Sequence, residues 1–239
     1  MAKKSKKAER GAPMLNKKRI QKALPARRKK KPAPKPARAP VAPSSLLEGN
    51  GWELYVKRLG LQHRPGQRVR TYGTYQVLIN GKEDTTLSGH ICECTGPGDN
   101  TAHGKRERVR IREGRYALST QFGPLYCSSG YTDDATNPMP GFLLLGTDAR
   151  SAVLVHPGHP PTLYLSSIGC LNPTKPLKAN EDMVFEESRA RVIALIESLK
   201  QHNPAAFANG RIGHNTAIAD AFIVIDGEPM TAVSDGAMV

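Results

Sequence analysis

Cysteine is scarce in this sequence, and its four occurrences, Cys92, Cys94, Cys127 and Cys170, are irregularly spaced. Small domains that depend on disulfides carry many cysteines for their length, usually in even number. Four cysteines in 239 residues do not fit that pattern. We therefore predict four free thiols, each of which needs its own explanation.

Long apolar runs are also missing. A membrane-spanning helix needs about 20 mainly apolar residues, and a secretory signal needs an apolar run close behind a basic N-terminus. The sequence shows neither. We therefore expect synthesis in the cytoplasm without a signal peptide. If the protein acts outside that compartment, something other than an N-terminal signal must carry it.

The usual signatures of nucleotide binding are missing as well. The sequence contains no glycine-rich phosphate-binding loop and no dinucleotide fingerprint. Aromatic residues make up only 5% of the chain, and they do not alternate with basic residues as a stacking surface for single-stranded nucleic acid requires. We predict no cofactor.

Acidic residues are nearly absent from the first 40 residues, which are strongly basic. Of 35 Lys and Arg and 21 Asp and Glu, 16 bases and one acid lie there, so the remainder holds 19 bases and 20 acids. Residues 1–50 have little to bury, which predicts a disordered Lys/Arg- and Pro-rich tail and linker. Residues 3–38 either bind an anionic polymer without sequence preference or serve as a solubilising extension.

The rest of the chain has the pattern of short strands. Apolar and polar residues alternate, Asn80-Gly81 is suited to a tight hairpin, and Gly- and Pro-rich loops separate the strands. We predict a mainly β fold with one packed helix (α+β) over residues 51–203, built as a small antiparallel sheet or barrel. Residues 204–239 are predicted to form a C-terminal extension with one strand or hairpin near Asp226-Gly227.

One segment changes to a helical period. Over residues 181–200 the apolar residues recur at helical spacing, and Pro204 follows. Asn180 suits the N-cap position, and Glu181 and Asp182 suit the positive end of a helix. We predict an amphipathic helix over residues 181–200 that packs on the sheet.

The stretch VLVHPGHPPTLYLSSIGCLN, residues 153–172, carries the candidate catalytic residues. A thiol nucleophile needs a base, donors for an oxyanion, and access. His156 ends an apolar run that predicts a strand, and Cys170 follows small residues that leave room for a substrate. His159 lies on the Pro-rich turn and is the less favoured base. The alternative is that His156 and Cys170 are packing residues.

The order His-x-Gly after an apolar strand, then Ser-x-Gly-Cys-x-Asn, resembles the signature of the L,D-transpeptidase catalytic domain. The matching residues are His156, Gly158, Ser167, Gly169, Cys170 and Asn172. The resemblance implies a β-rich fold in which Cys170 forms a thioester with a peptidoglycan stem peptide and His156 is the general base. It also implies an oxyanion site shaped by Ser167 and the Gly169-Cys170 backbone.

The same resemblance implies that Gly158 and Asn172 lie at the substrate, and we predict that His159, on the adjoining turn, also binds it. The chain departs from the family in two places: the spacer from His156 to Cys170 is short, and Ile168 stands where the family usually has a histidine. Any hydrogen-bond donation by that side chain is therefore lost.

A longer stretch, about residues 70–173, is similar to a family of small β-rich domains linked to phage and contractile secretion loci. The shared runs are RTYGTYQVLINGK, LSGHICE, IREGRYAL, PGFLLLG, VLVHPG and SIGCLNP. That family resembles a shortened L,D-transpeptidase. The resemblance implies a cell-wall effector that a phage or a type VI secretion system delivers.

Two functions of different class follow from these observations. The first is a cysteine L,D-transpeptidase or carboxypeptidase that acts on peptidoglycan stem peptides through Cys170. The second is a non-catalytic structural module of a virion or injection apparatus, with residues 3–38 binding nucleic acid or a partner. A third, weaker hypothesis is a DNA-associated protein whose activity lies wholly in that basic segment.

A second group of candidate residues could bind zinc. His90, Cys92 and Cys94 alternate and would share one face of a strand, with His103 in the next loop. Imidazole and thiolate are zinc ligands, but three successive same-face positions fit a tetrahedron poorly. We favour the alternative, in which these are core-facing residues of a half-buried strand and no metal is bound.

Overall fold

The computed structural model describes residues 46–101 and 108–231. Within those residues the chain is mainly β with a single α-helix, which confirms the predicted composition of the fold. The predicted tail lies outside the described residues as far as residue 45, and so does His103.

Of the ten strands in these described ranges, eight form one sheet and the other two pair separately. The strands are β1 (Trp52–Gln62), β2 (Arg70–Ile79), β3 (Lys82–Cys94), β4 (Gly114–Thr120), β5 (Tyr126–Cys127), β6 (Met139–Pro140), β7 (Phe142–Leu144), β8 (Leu154–Val155), β9 (Asn172–Thr174) and β10 (Ala217–Asp226). The order in the large sheet is β8-β7-β4-β10-β1-β2-β3-β9, and β5 pairs with β6.

The two edges of the large sheet approach each other, so the sheet is nearly closed. Val155 at the end of β8 forms a parallel bridge with Leu171, the residue before β9. The His156 N–H donates to the Leu171 carbonyl at 3.0 Å, and the Leu171 N–H donates to the Leu154 carbonyl at 2.8 Å. We call residues 154–156 and 170–172 the seam, because they join the edges.

The hairpin between β2 and β3 forms at the predicted dipeptide. Ile79 pairs with Lys82, and Asn80 and Gly81 lie between them with φ of 49° and 73°. Two consecutive positive φ angles are the requirement of the tight turn that matches the twist of a hairpin. Asn and Gly tolerate that region best, so this local prediction is confirmed.

The predictions of a small antiparallel sheet or barrel over residues 51–203 and of a C-terminal extension over residues 204–239 need correction. β10 lies between β1 and β4 in the sheet and runs parallel to β1, with Trp52 opposite Ala221 and Val56 opposite Ile225. Tight turns make neighbours antiparallel, whereas a long crossover permits a parallel strand. The chain reaches β10 through the helix, so residues 217–226 complete the domain instead of following it.

The helix begins four residues later than predicted. It spans Phe185–His202 (α1), with Val184 at the N-cap position. The Met183 N–H donates to the Leu163 carbonyl at 3.0 Å, and the Met183 side chain is buried. Residues 181–184 are therefore held in a path outside the helix, and Asn180 does not cap it.

The helix covers the core side of the sheet, as its amphipathic pattern predicts. Val192, Leu195 and Ile196 are completely buried in the main apolar cluster. The Trp52 Nε1–H of β1 donates to the Ser198 hydroxyl at 2.9 Å, which satisfies the one polar atom of that buried ring. Among the residues that the structure describes, no helix is both long and apolar enough to cross a membrane.

Candidate active site

A pocket of about 460 Å³ lies at the seam and contains the predicted nucleophile and base. His156 and Cys170 both line it, together with Tyr126, Ser167 and Arg68. A volume of this size is in the usual range for small-ligand pockets. Two residues that lie 14 positions apart in the sequence thus reach one cavity through closure of the sheet.

The alternation of side chains across the seam explains why these residues share the pocket. Val155 and Leu171 lie opposite each other and point into the apolar core. Since successive side chains of a strand point to opposite faces, the residues on either side of Val155 and the residue before Leu171 face away from that core. Leu154, His156 and Cys170 accordingly line the pocket.

His156 is neutral and held in one tautomer. Its Nδ1–H donates to the Pro157 carbonyl at 2.8 Å, which leaves the lone pair on Nε2. The Asn172 amide donates to the His156 carbonyl at 3.0 Å and fixes the backbone of the histidine. Burial, with a smaller contribution from His159, lowers the pKa of His156 to about 3. Nε2 is therefore unprotonated at neutral pH.

Cys170 is a neutral thiol in the resting structure. Its Sγ accepts a hydrogen bond from the Leu154 N–H at 3.4 Å and donates to the Ala152 carbonyl at 3.6 Å. Burial raises the pKa of Cys170 to about 11. Within the described part of the chain, no hydrogen bond joins Cys170 to His156. The two groups line the same pocket but do not form an ion pair.

The turn before Cys170 is held by the Ser167 hydroxyl. The Gly169 N–H donates to Ser167 Oγ at 2.8 Å, and that hydroxyl donates to the Cys170 carbonyl at 2.7 Å. Ser167 therefore shapes the turn, and the Gly169 N–H already has an acceptor. The Cys170 N–H donates to no acceptor among the described residues, so of the two predicted backbone donors it is the one free for an oxyanion.

A side chain at position 169 would have to displace the guanidinium of Arg150. A Cβ at this position would lie 1.7 Å from Arg150 Nη2. Arg150 is buried and donates to the Ile168 carbonyl at 3.2 Å and the Val109 carbonyl at 2.7 Å. The Gly-Cys pair thus reflects close packing of a guanidinium over the turn.

Two of the residues predicted at the substrate lie behind the pocket. Gly158 packs against Met183, with its N–H donating to the Ser188 hydroxyl at 2.8 Å. Asn172 is fully buried, and its amide contacts the His156 and Pro157 carbonyls. Neither residue lines the pocket. Both instead support the backbone around His156.

Tyr126 is a pocket residue that the sequence did not reveal. Its ring centroid lies 4.4 Å from that of His156, and its hydroxyl donates to His159 Nε2 at 3.0 Å. A Cβ at Gly141 would lie 3.2 Å from the Tyr126 Cβ, so the glycine allows the two backbone segments to approach closely. His159 therefore orients Tyr126, whereas His156 is the histidine that lines the pocket of the thiol. The sequence contains no sign of Tyr126 because its strand, β5, is only two residues long and cannot show an alternating pattern.

Arg68 is the second pocket residue that the sequence did not reveal. It is half-buried and donates through Nη1 to the Ser167 carbonyl at 3.1 Å and through Nη2 to Cys94 Sγ at 3.2 Å. These contacts attach a permanent positive charge to the turn that carries the nucleophile. Its position 102 residues before Cys170 leaves no local signal in the sequence.

The candidate zinc ligands of β3 are buried, but on the face of the strand opposite Ile91 and the main apolar cluster, so the prediction that they face the core needs correction. The His90 ring stacks on Tyr72 at 5.2 Å between centroids, and Cys92 packs with Tyr72 in a small buried cluster. Burial raises the pKa of Cys92 to about 11, which disfavours a thiolate ligand. Cys94 packs against Tyr164. Across residues 46–101 and 108–231, no group of three or more His, Cys, Asp or Glu is placed to hold a metal ion.

Comparisons with protein-family models, with curated proteins and with solved structures found no match for this chain.

Proposed function

We propose that the protein is a cysteine acyltransferase of L,D-transpeptidase type that acts on peptidoglycan stem peptides. One observation carries the proposal: Cys170 and His156 line one pocket at the seam, and the Pro157 carbonyl holds the histidine with its basic Nε2 unprotonated. A nucleophile, a base held by a third group, and a free backbone donor are the elements of acyl transfer. The stem-peptide substrate comes from the motif resemblance.

The chemistry has two steps. Cys170 Sγ attacks the carbonyl carbon between the third and fourth stem residues while its proton passes to His156 Nε2. The carbon–nitrogen bond breaks, the proton goes to the departing amine of the D-amino acid, and a thioester remains on Cys170. Water or a second amine then attacks the thioester and restores the thiol, which gives carboxypeptidase or transpeptidase activity respectively.

The protonation states determine when the proton moves. A thiol with a pKa of about 11 and an imidazole with a pKa of about 3 are both neutral at pH 7. Proton transfer therefore accompanies attack on a bound carbonyl, as in general-base catalysis, and does not precede it. In this mechanism the Cys170 N–H stabilises the charge that appears on the oxygen during attack.

Delivery to the periplasm by a phage or a secretion apparatus belongs to the same proposal. The basic segment, residues 3–38, would then contact an anionic polymer of the particle or of the cell envelope. Binding of this kind falls steeply with added salt.

The proposal is tested by incubating the protein with muropeptides that carry tetrapeptide stems. Mass spectrometry of the products should show loss or exchange of the terminal D-alanine with wild-type protein and none with Cys170→Ala. Cys127→Ala removes a thiol outside the pocket and should keep full activity. Identical product spectra for wild type and Cys170→Ala would disprove acyl transfer through Cys170.

A non-catalytic structural module is the second candidate function. It is favoured by one observation, namely that the hydrogen bonds of Cys170 Sγ go to the backbone of Leu154 and Ala152, and none goes to His156 among the described residues. In this case Cys170 is a packing residue of the seam. Cys170→Ala would then lower the free energy of unfolding, and no muropeptide would change with any variant.

A further inference from the structure

Among the described residues that line the pocket at the seam, one carries a permanent charge, and that charge is positive. Arg68 is the only Lys, Arg, Asp or Glu among the described residues that line it. His156 is neutral at pH 7, because burial lowers its pKa to about 3. The electrostatic potential of the pocket therefore favours an anionic ligand.

The guanidinium has no carboxylate partner within the described residues. Its contacts are the carbonyls of Ser167 and Arg108 and the sulfur of Cys94. Arg64 differs in this respect, because it pairs with Asp182 at 2.9 Å. A half-buried guanidinium that faces a cavity without a counter-ion is well suited to a carboxylate, which it binds with two parallel hydrogen bonds.

Four apolar side chains that line the pocket indicate which other part of a ligand would fit there. Leu125 and Ile168 are 57% and 56% exposed, and both line the pocket. Leu154 and Leu165 line the same pocket and are buried. An anionic group at Arg68 and apolar surface beside it fit a peptide end that bears a small apolar side chain.

We infer that Arg68 binds the free C-terminal carboxylate of a peptide whose last peptide carbonyl lies at Cys170. Arg68 is hydrogen-bonded to Ser167, three residues before the nucleophile. One extended residue spans about 3.3–3.6 Å, so a carboxylate one residue beyond the scissile carbonyl remains within the same small pocket. This inference rests on the proposed function and adds that the protein acts only at a free chain end.

The test compares two tetrapeptide stems that differ only in the C-terminus, one a free acid and the other a primary amide. For the wild type we expect kcat/KM to be about 10- to 100-fold higher for the acid, the usual range for a charge-assisted hydrogen bond. Arg68→Gln should remove that preference mainly by raising KM for the acid, while the amide is unaffected. Arg68→Lys should retain part of it. Arg64→Gln is the matched control and should behave as wild type.

Binding to Cys170→Ala, measured by calorimetry with the same two peptides, separates this inference from the proposed function. Preferential binding of the acid that Arg68→Gln abolishes supports the inference even if the wild type turns over neither peptide. Equal turnover of acid and amide overturns the inference and leaves the proposed function intact. Two other results also overturn it. One is that Arg68→Gln weakens the binding of both peptides equally, since a merely structural role of Arg68 cannot distinguish an acid from an amide. The other is that neither peptide binds.

Discussion

Among individual residues, burial controls the chemistry of the seam. His156 is 2% exposed, and the free energy of placing a charge there is high because the imidazolium would lose its hydration. The same desolvation keeps Cys170 protonated. Because His156 and Cys170 are both neutral in the resting state, neither places a buried charge at the seam. The proton of Cys170 therefore moves only when a substrate is bound.

The depressed pKa of His156 predicts a pH dependence of stability. The unfolded chain binds a proton at this histidine near pH 6.5, whereas the folded chain does so only near pH 3. The contribution to stability is therefore complete above about pH 6.5 and falls as the pH decreases toward 3, by up to about 1.4 kcal/mol per pH unit. Urea unfolding at pH 7, 6 and 5 should show this slope.

His156→Asn is the control for this prediction, because its amide can replace the Nδ1–H donor but does not titrate. The variant should lose the slope below about pH 6.5 that is due to His156, while the other histidines contribute equally to both proteins. Parallel stability curves for variant and wild type would contradict the assigned pKa shift.

Among the structural elements, the turn over residues 167–170 depends on a side chain from another part of the chain. Arg150 lies over Gly169, and its guanidinium bonds to the carbonyls of Val109 and Ile168. Gly169 is not among the glycines with positive φ, so a backbone requirement does not explain it. The packing of Arg150 does.

Gly169→Ala should therefore destabilise the protein by displacing Arg150. Loss of buried hydrogen bonds to a charged group predicts a decrease of about 1–3 kcal/mol in the free energy of unfolding. On an Arg150→Ala background the same change should cost much less, because nothing then occupies the space of the new methyl group. Additive effects in this double-mutant cycle, measured by chemical denaturation, would exclude the direct clash.

For the domain as a whole, the C-terminal strand completes the fold. β10 lies between β1 and β4, and Ile223 and Ile225 are fully buried. Just beyond it, Glu228 forms ion pairs with Arg58 at 2.9 Å and Arg110 at 2.7 Å. Both arginine side chains are completely buried, so this carboxylate joins the segment after β10 to the middle of the sheet.

Truncation at residue 203 should therefore abolish folding, although residues 51–203 contain every predicted catalytic residue. Burial of one aliphatic side chain contributes about 1.5–3 kcal/mol, and a typical domain is stable by only about 5–15 kcal/mol. Circular dichroism should show no cooperative thermal transition for a chain of residues 1–203. A chain of residues 1–231, which keeps β10 and Glu228, should unfold cooperatively, and cooperative unfolding of the shorter chain would contradict this account.

Features that depend on near neighbours follow from the amino-acid sequence alone. Asn80-Gly81 specifies a hairpin because only the two residues of the turn need positive φ. The apolar period before Pro204 specifies the helix, although its start is set by the distant contact between Met183 and Leu163. The His-to-Cys motif identifies residues that do line one pocket.

Features that join distant segments could be read only from the folded chain. Whether β10 is an appendage or a central strand depends on its pairing with β1, which lies far earlier in the chain, and no local pattern encodes that pairing. Tyr126, in the separate strand β5, and Arg68, in the loop between β1 and β2, reach the pocket from segments far from Cys170 in the sequence. The protonation states of His156 and Cys170 follow from burial, which the fold creates and which the residue types alone do not specify.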